Sequence, residues 1–210
     1  MMCTREHEQE LTAQGYKYIV GIDEVGRGAL AGPVTVCACY IPLDVEIKGI
    51  NDSKKLSEKR REAISKQLTE HKQVKFAIIH IGNETVDQIN ILQATFEGMY
   101  QSFTQLQTQL PEIDCVLIDG NSIPPQFKRN TNVHVKTVIG GDGLCCCIGA
   151  ASIIAKVARD NLMKMFDTQY PGYNLGQHKG YGSAKHMAAI RELGPTPIHR
   201  KTFRGVKHED

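Results

Sequence analysis

Residues 18–34 read YIVGIDEVGRGALAGPV, and the predicted sheet is built outward from this stretch. It predicts an apolar strand that ends in two adjacent carboxylates, Asp23 and Glu24, then a glycine-rich turn and a second strand. A buried carboxylate without a partner is costly, so two of them require a metal ion, a basic side chain or bulk water. Carboxylate oxygens suit hard cations such as Mg²⁺ and Mn²⁺.

Two further apolar strands also end in acids. Residues 115–119 form a short apolar run that ends in Asp119, and residues 133–139 alternate as a half-buried strand does before Gly140 and Gly141 deliver Asp142. One acid after a strand is common, because aspartate favours turns and helix caps. Three such strand ends together indicate that the acids converge on one site.

Length and composition predict one soluble domain. The chain has 210 residues, of which 41% are hydrophobic, which is enough for a core. The sequence shows neither a cleavable leader nor a run of roughly 18 apolar residues, so we expect a cytoplasmic protein without membrane contact. The seven cysteines lie mostly in apolar runs and predict buried free thiols. A zinc site at Cys37 and Cys39 would lack two ligands.

The distribution of charge says more than the net charge of +2. Residues 177–207 contain seven Lys or Arg and one acid, and a second basic group comprises Lys54, Lys55, Lys59, Arg60 and Arg61. Basic runs are often solvated faces. In a chain with clustered acids they also favour a substrate that carries phosphates.

Hydrophobic periodicity predicts an α/β protein with a mixed sheet, helices packed on it and a small basic C-terminal cap. The predicted strands are 16–23, 33–41, 74–81, 115–119 and 133–139. The predicted helices are 55–70 with Ser57 as N-cap and Arg60 and Arg61 exposed, 84–109 with a break near Asn90, one from Asp142 or Gly143 to about Phe166, and 183–193. The second helix carries a predicted core stripe of Ile89, Leu92, Phe96, Met99, Phe103 and Leu106.

The glycine-rich turn matches a loose dinucleotide fingerprint, Gly26-x-Gly28-x-x-Ala31. That motif must open a helix, whereas here Pro33 and a strand follow. Two interpretations remain: a tight turn in which glycine accepts positive φ, or a backbone that approaches a sugar or phosphate closely. Arg27 is either part of that approach or an ion-pair partner for the acids.

Several motifs of the chain resemble type 2 ribonuclease H, specifically bacterial ribonuclease HII. They cover nearly the whole chain: DEVGRGxLAGP at 23–33, NDSKKLS at 51–57, DxxNILxAT at 87–95, LIDGN at 117–121, AASIIAK at 150–156, RD at 159–160, QHKGY at 177–181 and HRxxF at 199–203. One departure is that Gly140 stands where the family usually has lysine. The aspartate beside it is kept, and a positive charge is lost.

The resemblance implies a ribonuclease H-like fold and a metal-dependent endoribonuclease. Asp23, Glu24, Asp119 and Asp142 would hold two Mn²⁺ or Mg²⁺ ions. The enzyme would cleave the RNA strand of RNA–DNA hybrids and cut 5′ of ribonucleotides embedded in duplex DNA, leaving 3′-hydroxyl and 5′-phosphate ends. We expect a catalytic domain at 1–168 and a helical substrate-binding extension of the same domain at 169–210. The oligomeric state is open, with a monomer as the default expectation.

The resemblance also assigns substrate contacts. Gly26, Arg27 and Gly28 would recognise the 2′-hydroxyl that separates RNA from DNA, and Tyr181 would pack on the adjacent sugar. The segment of Ser53, Lys54 and Lys55 would lie near the substrate backbone. The alternatives are a buried packing tyrosine at 181 and solvated lysines at 54 and 55. Asp160 is expected in a structural ion pair, while His178, His186 and His199 are structural or adjacent to substrate.

Three rival functions make different predictions. A ribonuclease HIII carries an extra N-terminal platform domain, and only some 16 residues precede the first predicted strand here. A binding module that keeps the fold without catalysis would lack one of the four acids. A resolvase or integrase would share the acidic chemistry without dependence on a 2′-hydroxyl.

Overall fold

A mixed sheet of five strands forms the centre of the computed structural model, which describes residues 3–206. The spatial order is β3-β2-β1-β4-β5, with β1–β2 and β2–β3 antiparallel and β1–β4 and β4–β5 parallel. The strands are β1 (Ile19–Val25), β2 (Val34–Tyr40), β3 (Lys75–Ile81), β4 (Cys115–Asp119) and β5 (His134–Val138). All five predicted strands are therefore confirmed to within a few residues.

Eight helices and one 3₁₀ turn, Ser53–Lys55, accompany the sheet in the described part of the chain. They are α1 (Glu6–Ala13), α2 (Glu58–Glu70), α3 (Asn83–Gln107), α4 (Pro125–Asn130), α5 (Gly141–Leu144), α6 (Cys146–Gln169), α7 (Leu175–His178) and α8 (Ala184–Leu193). The sequence patterns missed α1, α4 and α7. Ser57 caps α2 as predicted, because its hydroxyl accepts a hydrogen bond from the Arg60 N–H. None of the helices within residues 3–206 is long and apolar enough to cross a membrane.

Apolar side chains cover both faces of the sheet. On one face, Cys37 and Cys39 of β2 pack against α2 and α6; on the other, Val20 and Ile22 of β1 pack against α3. Helix α6 lies very close to β1, because a Cβ on Gly21 would stand only 2.2 Å from the Cys147 carbonyl carbon. The first half of α6 is buried up to Ala155, as its small apolar residues predict.

Two helix predictions were wrong in detail. Ile89 and Leu92 are 39% and 40% exposed, whereas the rest of the predicted α3 stripe is buried. Asn90 adopts a φ of 65° inside α3, which confirms the predicted break, so the helical register of Ile89 does not continue into the turns after it. Leu92 lies in the first turn after the break, and the buried stripe begins beyond it. The long helix expected from Asp142 is also interrupted, because Cys145 has extended dihedral angles and leaves Asp142 in the separate one-turn helix α5.

The C-terminal segment packs against the end of α6 and the glycine-rich loop. Its apolar residues Tyr173, Leu175 and Ile190 share a cluster with Leu30 and Met163. The division into 1–168 and 169–210 stays a prediction, and residues 207–210 of that extension lie outside the described residues.

Candidate active site

The four predicted acids meet at one edge of the sheet. Ile22 pairs with Ile118 across β1 and β4, so the next residues, Asp23 and Asp119, stand side by side at the carboxyl ends of these parallel strands. Asp119 Oδ1 accepts a hydrogen bond of 2.7 Å from the Gly141 N–H, which brings in the turn that carries Asp142.

Glu24 lies beside Asp23 and is only partly neutralised. Its Oε1 atom is 3.2 Å from Arg27 Nη1, which realises the ion-pair alternative for Arg27. Its Oε2 atom is buried without a hydrogen-bond partner. Such an orphaned carboxylate oxygen is unusual inside a folded protein and marks a place where a ligand is expected.

Burial and neighbouring carboxylates raise the pKa of Asp23, Glu24 and Asp142. Burial raises the pKa of Asp23 well above its ordinary value, and the charges of Glu24 and Asp119 add to this. Burial also raises the pKa of Glu24, although the Arg27 guanidinium opposes the shift. The pKa of Asp142 is raised by burial and by Asp52 and Asp119. Negative charge is therefore in excess at this edge.

The donor set fits a hard divalent cation. All the converging atoms are carboxylate oxygens, the preferred ligands of Mg²⁺ and Mn²⁺, and one Glu24 oxygen is buried without a hydrogen-bond partner. Among residues 3–206, no three His, Cys, Asp or Glu side chains already stand in a closed metal-binding arrangement. The acids thus converge without forming a finished coordination sphere.

A cavity of about 330 Å³ adjoins the acids. It is lined by Asp23, Glu24, Val25, Ser53, Lys54, Ser152, Lys156 and Tyr181. A larger cavity of about 900 Å³, lined in part by Tyr16, Tyr100 and His134, lies at the amino ends of β4 and β5 and contains none of the four acids. The smaller cavity is the candidate active site because Asp23 and Glu24 line it together with Lys54 and Tyr181.

The three residues of the segment 53–55 lie in different surroundings. Burial alone would lower the pKa of Lys54, but the charges of Asp142 and Asp23 outweigh it and raise the pKa. The Ser53 hydroxyl instead contacts Ser152 Oγ at 2.9 Å and is buried. Lys55 is exposed and lies 3.4 Å from Asp52. The structure therefore brings Lys54 to the acids, while Ser53 forms part of the cavity wall and Lys55 faces solvent.

The glycine-rich loop is held by two fully buried arginines that the sequence analysis did not single out. Arg200 donates to the carbonyls of Gly26, Arg27 and Gly32 at 2.7–3.1 Å. Arg159 donates to the carbonyls of Pro33, Ala31 and Lys179 at 2.8–3.1 Å. Arg200 had been counted as part of a basic surface, which was wrong.

These contacts orient the peptide planes of the loop. In a trans peptide the carbonyl of one residue and the N–H of the next point in opposite directions. Since the Gly26 and Arg27 carbonyls point at buried Arg200, the N–H groups of Arg27 and Gly28 point away from it.

The two predicted glycines have different reasons to be glycine. Gly28 is exposed, and an added Cβ would meet open space. Gly26 is buried, has a φ of +92°, and would place a Cβ 2.2 Å from Arg159 Nε. The positive φ of Gly26 fits the tight-turn interpretation, and the packing of Arg159 leaves no space for a side chain there. The predicted contact of Gly26 with the 2′-hydroxyl stays a prediction.

Tyr181 is the remaining predicted contact, and it is not a buried packing residue. Its side chain lines the cavity and the residue is 37% exposed. The Arg159 guanidinium carbon lies 5.5 Å from the centre of its ring.

Asp160, Arg61 and Lys179 each have a partner within the protein. Asp160 forms the expected structural ion pair, with Lys156 at 2.8 Å and Arg61 at 3.9 Å. Arg61 was predicted to be exposed but is buried, because it also donates to the carbonyls of Ser53 and Leu56. In the basic C-terminal run, Lys179 donates to the Gly176 carbonyl, and Lys207 lies outside the described residues.

Solved structures show the class of fold. A ribonuclease HII from Archaeoglobus fulgidus, solved in complex with PCNA, superposes with a TM-score of 0.71 at 22% identity, covering 89% of this chain and 95% of that one. Bst-RNase HIII, solved in complex with Mn²⁺, gives a TM-score of 0.73 at 19% identity, covering 91% of this chain and 68% of that one. The sheet and its helices are thus a ribonuclease H-type fold.

Sequence comparison identifies the family within this class. The family model described as Ribonuclease HII matches residues 20–206. A ribonuclease HII from Geotalea uraniireducens is 48% identical over 205 residues, covering 96% of this chain and 89% of the relative. The chain belongs to the ribonuclease HII family and is a ribonuclease H hydrolase, a class that acts on RNA–DNA hybrids.

Proposed function

We propose that this chain cleaves phosphodiester bonds by two-metal catalysis, with Asp23, Glu24, Asp119 and Asp142 as the metal ligands. Its substrates are the RNA strand of RNA–DNA hybrids and ribonucleotides embedded in duplex DNA. The observation that carries the proposal is the convergence of these four acids at one edge of the sheet, where Asp23 and Glu24 line a cavity and one Glu24 oxygen is unpaired. The Mn²⁺ bound by the ribonuclease HIII of similar fold supports the choice of cation.

The divalent ions, when bound, would lower the pKa of a water and stabilise the leaving 3′ oxygen. The chain's own groups would hold and select the substrate. The outward N–H groups of Arg27 and Gly28 would bond the 2′-hydroxyl, Tyr181 would pack on the neighbouring sugar, and Lys54 would contact a phosphate. Cleavage 5′ of the ribonucleotide would leave 3′-hydroxyl and 5′-phosphate ends.

The test is cleavage of an end-labelled DNA duplex that contains one ribonucleotide, with Mn²⁺, with Mg²⁺ or with EDTA. We expect cleavage only with metal and only at the ribonucleotide. Asp119→Asn should lower the rate by about a thousandfold or more, because a metal ligand supplies several kcal/mol of transition-state stabilisation.

Glu112→Gln is the matched control, since it removes a carboxylate charge from an exposed position outside the cavity. Its rate should equal that of the wild type. Full activity of Asp119→Asn would refute the metal assignment. Binding of the duplex without cleavage would favour the binding-module alternative, and equal cleavage of an all-DNA duplex would favour the resolvase alternative.

A further inference from the structure

Three histidines of the C-terminal segment form one cluster of neighbouring rings. The ring centres of His178 and His186 are 4.4 Å apart, and those of His186 and His199 are 5.2 Å apart. His186 and His199 are fully buried. None of the three lines the candidate active site, so the chemistry proposed above does not use them.

The hydrogen bonds of His199 and His186 indicate which nitrogen of each ring carries a proton. The Thr196 N–H donates to His199 Nδ1 at 2.9 Å, so the proton of His199 is on Nε2. His199 Nε2 then donates to His186 Nε2 at 3.0 Å, which leaves the proton of His186 on Nδ1. That N–H donates to the carbonyl of Tyr181 at 3.0 Å.

Both buried rings are neutral in this arrangement, because each uses one nitrogen as an acceptor. Burial lowers the pKa of His186, and burial together with the repulsion that a protonated His186 would exert lowers the pKa of His199 to about 4. The chain of bonds therefore runs in one direction, from the backbone of Thr196 to the backbone of Tyr181.

Tyr181 needs such a restraint because it stands between two glycines, Gly180 and Gly182. Gly180 has a φ of +80°, and glycine neighbours leave the backbone free to turn. The Tyr181 N–H donates to the His178 carbonyl at 3.0 Å, and the Gly180 N–H donates to His178 Nδ1 at 3.2 Å. Both backbone groups of Tyr181 are thus bound by the histidine cluster.

We propose that His186, held by His199 and Thr196, is a positioning residue that fixes the backbone of Tyr181 and so aims its ring at the substrate. This inference rests on the proposed role of Tyr181 in sugar recognition. The relevant group of His186 is the Nδ1–H that reaches the Tyr181 carbonyl. Its loss would leave that carbonyl with the Ser183 N–H, which donates to it at 2.8 Å, and would give the tyrosine more freedom to leave the cavity wall.

Two substitutions separate the bonds of His186. In His186→Asn the amide nitrogen takes the place of Nδ1 and keeps the donor to Tyr181, but the link to His199 is lost. In His186→Gln the amide group takes the place of Nε2, so the link to His199 is kept and the donor to Tyr181 is lost. We expect the glutamine variant to cleave the single-ribonucleotide duplex about tenfold more slowly than the asparagine variant, with the difference in kcat, although both lower the melting temperature.

The decisive measurement repeats both variants in a Tyr181→Ala background. If His186 acts through Tyr181, the difference between the asparagine and glutamine variants disappears there. An undiminished difference, or equal rates of the two variants with Tyr181 present, would overturn the inference about His186 and leave the proposed role of Tyr181 intact. An unchanged rate of Tyr181→Ala by itself refutes the proposed role of the tyrosine, and the inference with it.

A second measurement needs no variant to fold. Long-range ¹H–¹⁵N spectra of the wild-type protein at neutral pH should show one neutral ring protonated at Nδ1, His186, hydrogen-bonded to one protonated at Nε2, His199. The opposite tautomers, or a doubly protonated ring at either position, would overturn the proposed direction of the chain.

Discussion

Charge is buried in opposite ways at Asp23 and Glu24, here called the acid edge, and in the glycine-rich loop that follows them. The loop surrounds two cations, Arg159 and Arg200, whose guanidinium groups donate to six backbone carbonyls. The acid edge buries carboxylates that repel one another and leaves one Glu24 oxygen without a partner. Complete hydrogen bonding indicates a structural element, and an unbalanced buried charge indicates a site for a ligand.

The largest expected effect on stability comes from removing an arginine of the loop. Arg200→Met should lower the free energy of unfolding by about 3–5 kcal/mol, because buried carbonyls lose their donors. A chain of this size should then melt roughly 6–20 °C lower, as measured by calorimetry.

Arg204→Met is the control for this change. Arg204 is exposed, so the same substitution there should alter stability by no more than about 0.5 kcal/mol. Equal melting temperatures of the two variants would mean that Arg200 does not hold the loop.

The acid edge should respond with the opposite sign. Asp23→Asn should stabilise the protein in EDTA at pH 8, because folding raises the pKa of Asp23 and an ionised carboxyl at this position therefore opposes folding. We expect a gain of roughly 1 kcal/mol, the usual size of a single-substitution effect. Cleavage should be lost at the same time. Urea unfolding of the two proteins measures the difference, and a less stable variant would contradict the excess of negative charge.

The pH dependence of that difference follows from the raised pKa of Asp23. A carboxyl whose pKa is raised in the folded state favours folding below its unfolded pKa, near 3.8, and loses this stability as pH rises through the folded pKa. The advantage of Asp23→Asn should therefore shrink from pH 8 to pH 5. The lowered pKa of His199 has the opposite effect: the folded protein loses stability as the pH falls from about 6.5 towards 4. Because His199 is present in both proteins, this effect cancels in the difference between them.

The smallest change in stability is expected at Gly28. Gly28→Val should leave the melting temperature nearly unchanged, since the added Cβ meets open space. It should still slow cleavage at a ribonucleotide by about tenfold or more, because the side chain would stand where the 2′-hydroxyl is recognised. General duplex binding should change little.

Gly26→Ala separates packing from recognition within the same motif. Its positive φ and the contact with Arg159 should lower stability by about 1–3 kcal/mol.

Wild-type rates in Gly28→Val on duplexes with one ribonucleotide, a run of ribonucleotides or none would place recognition of the ribose elsewhere.

The sequence predicted the acids better than it predicted what surrounds them. Strand ends are visible as apolar runs that stop at an acid, so Asp23, Asp119 and Asp142 could be placed at one sheet edge. Arg159 and Arg200 could not be placed in this way, because their carbonyl partners carry no side-chain signal and lie 20–174 residues away along the chain. The helix break at Cys145 was missed for a related reason, since extended dihedral angles at a cysteine leave no mark in composition.

The separation along the sequence between the loop and its two arginines has a consequence during protein synthesis. Residues 26–33 leave the ribosome well before Arg159 and Arg200, which follow their carbonyl partners by 126–174 residues. At typical translation rates this interval lasts roughly 6–35 s. During that time the loop carbonyls have no guanidinium donors, so a nascent chain carries the acids of β1 long before it can hold the loop that follows them in its final shape.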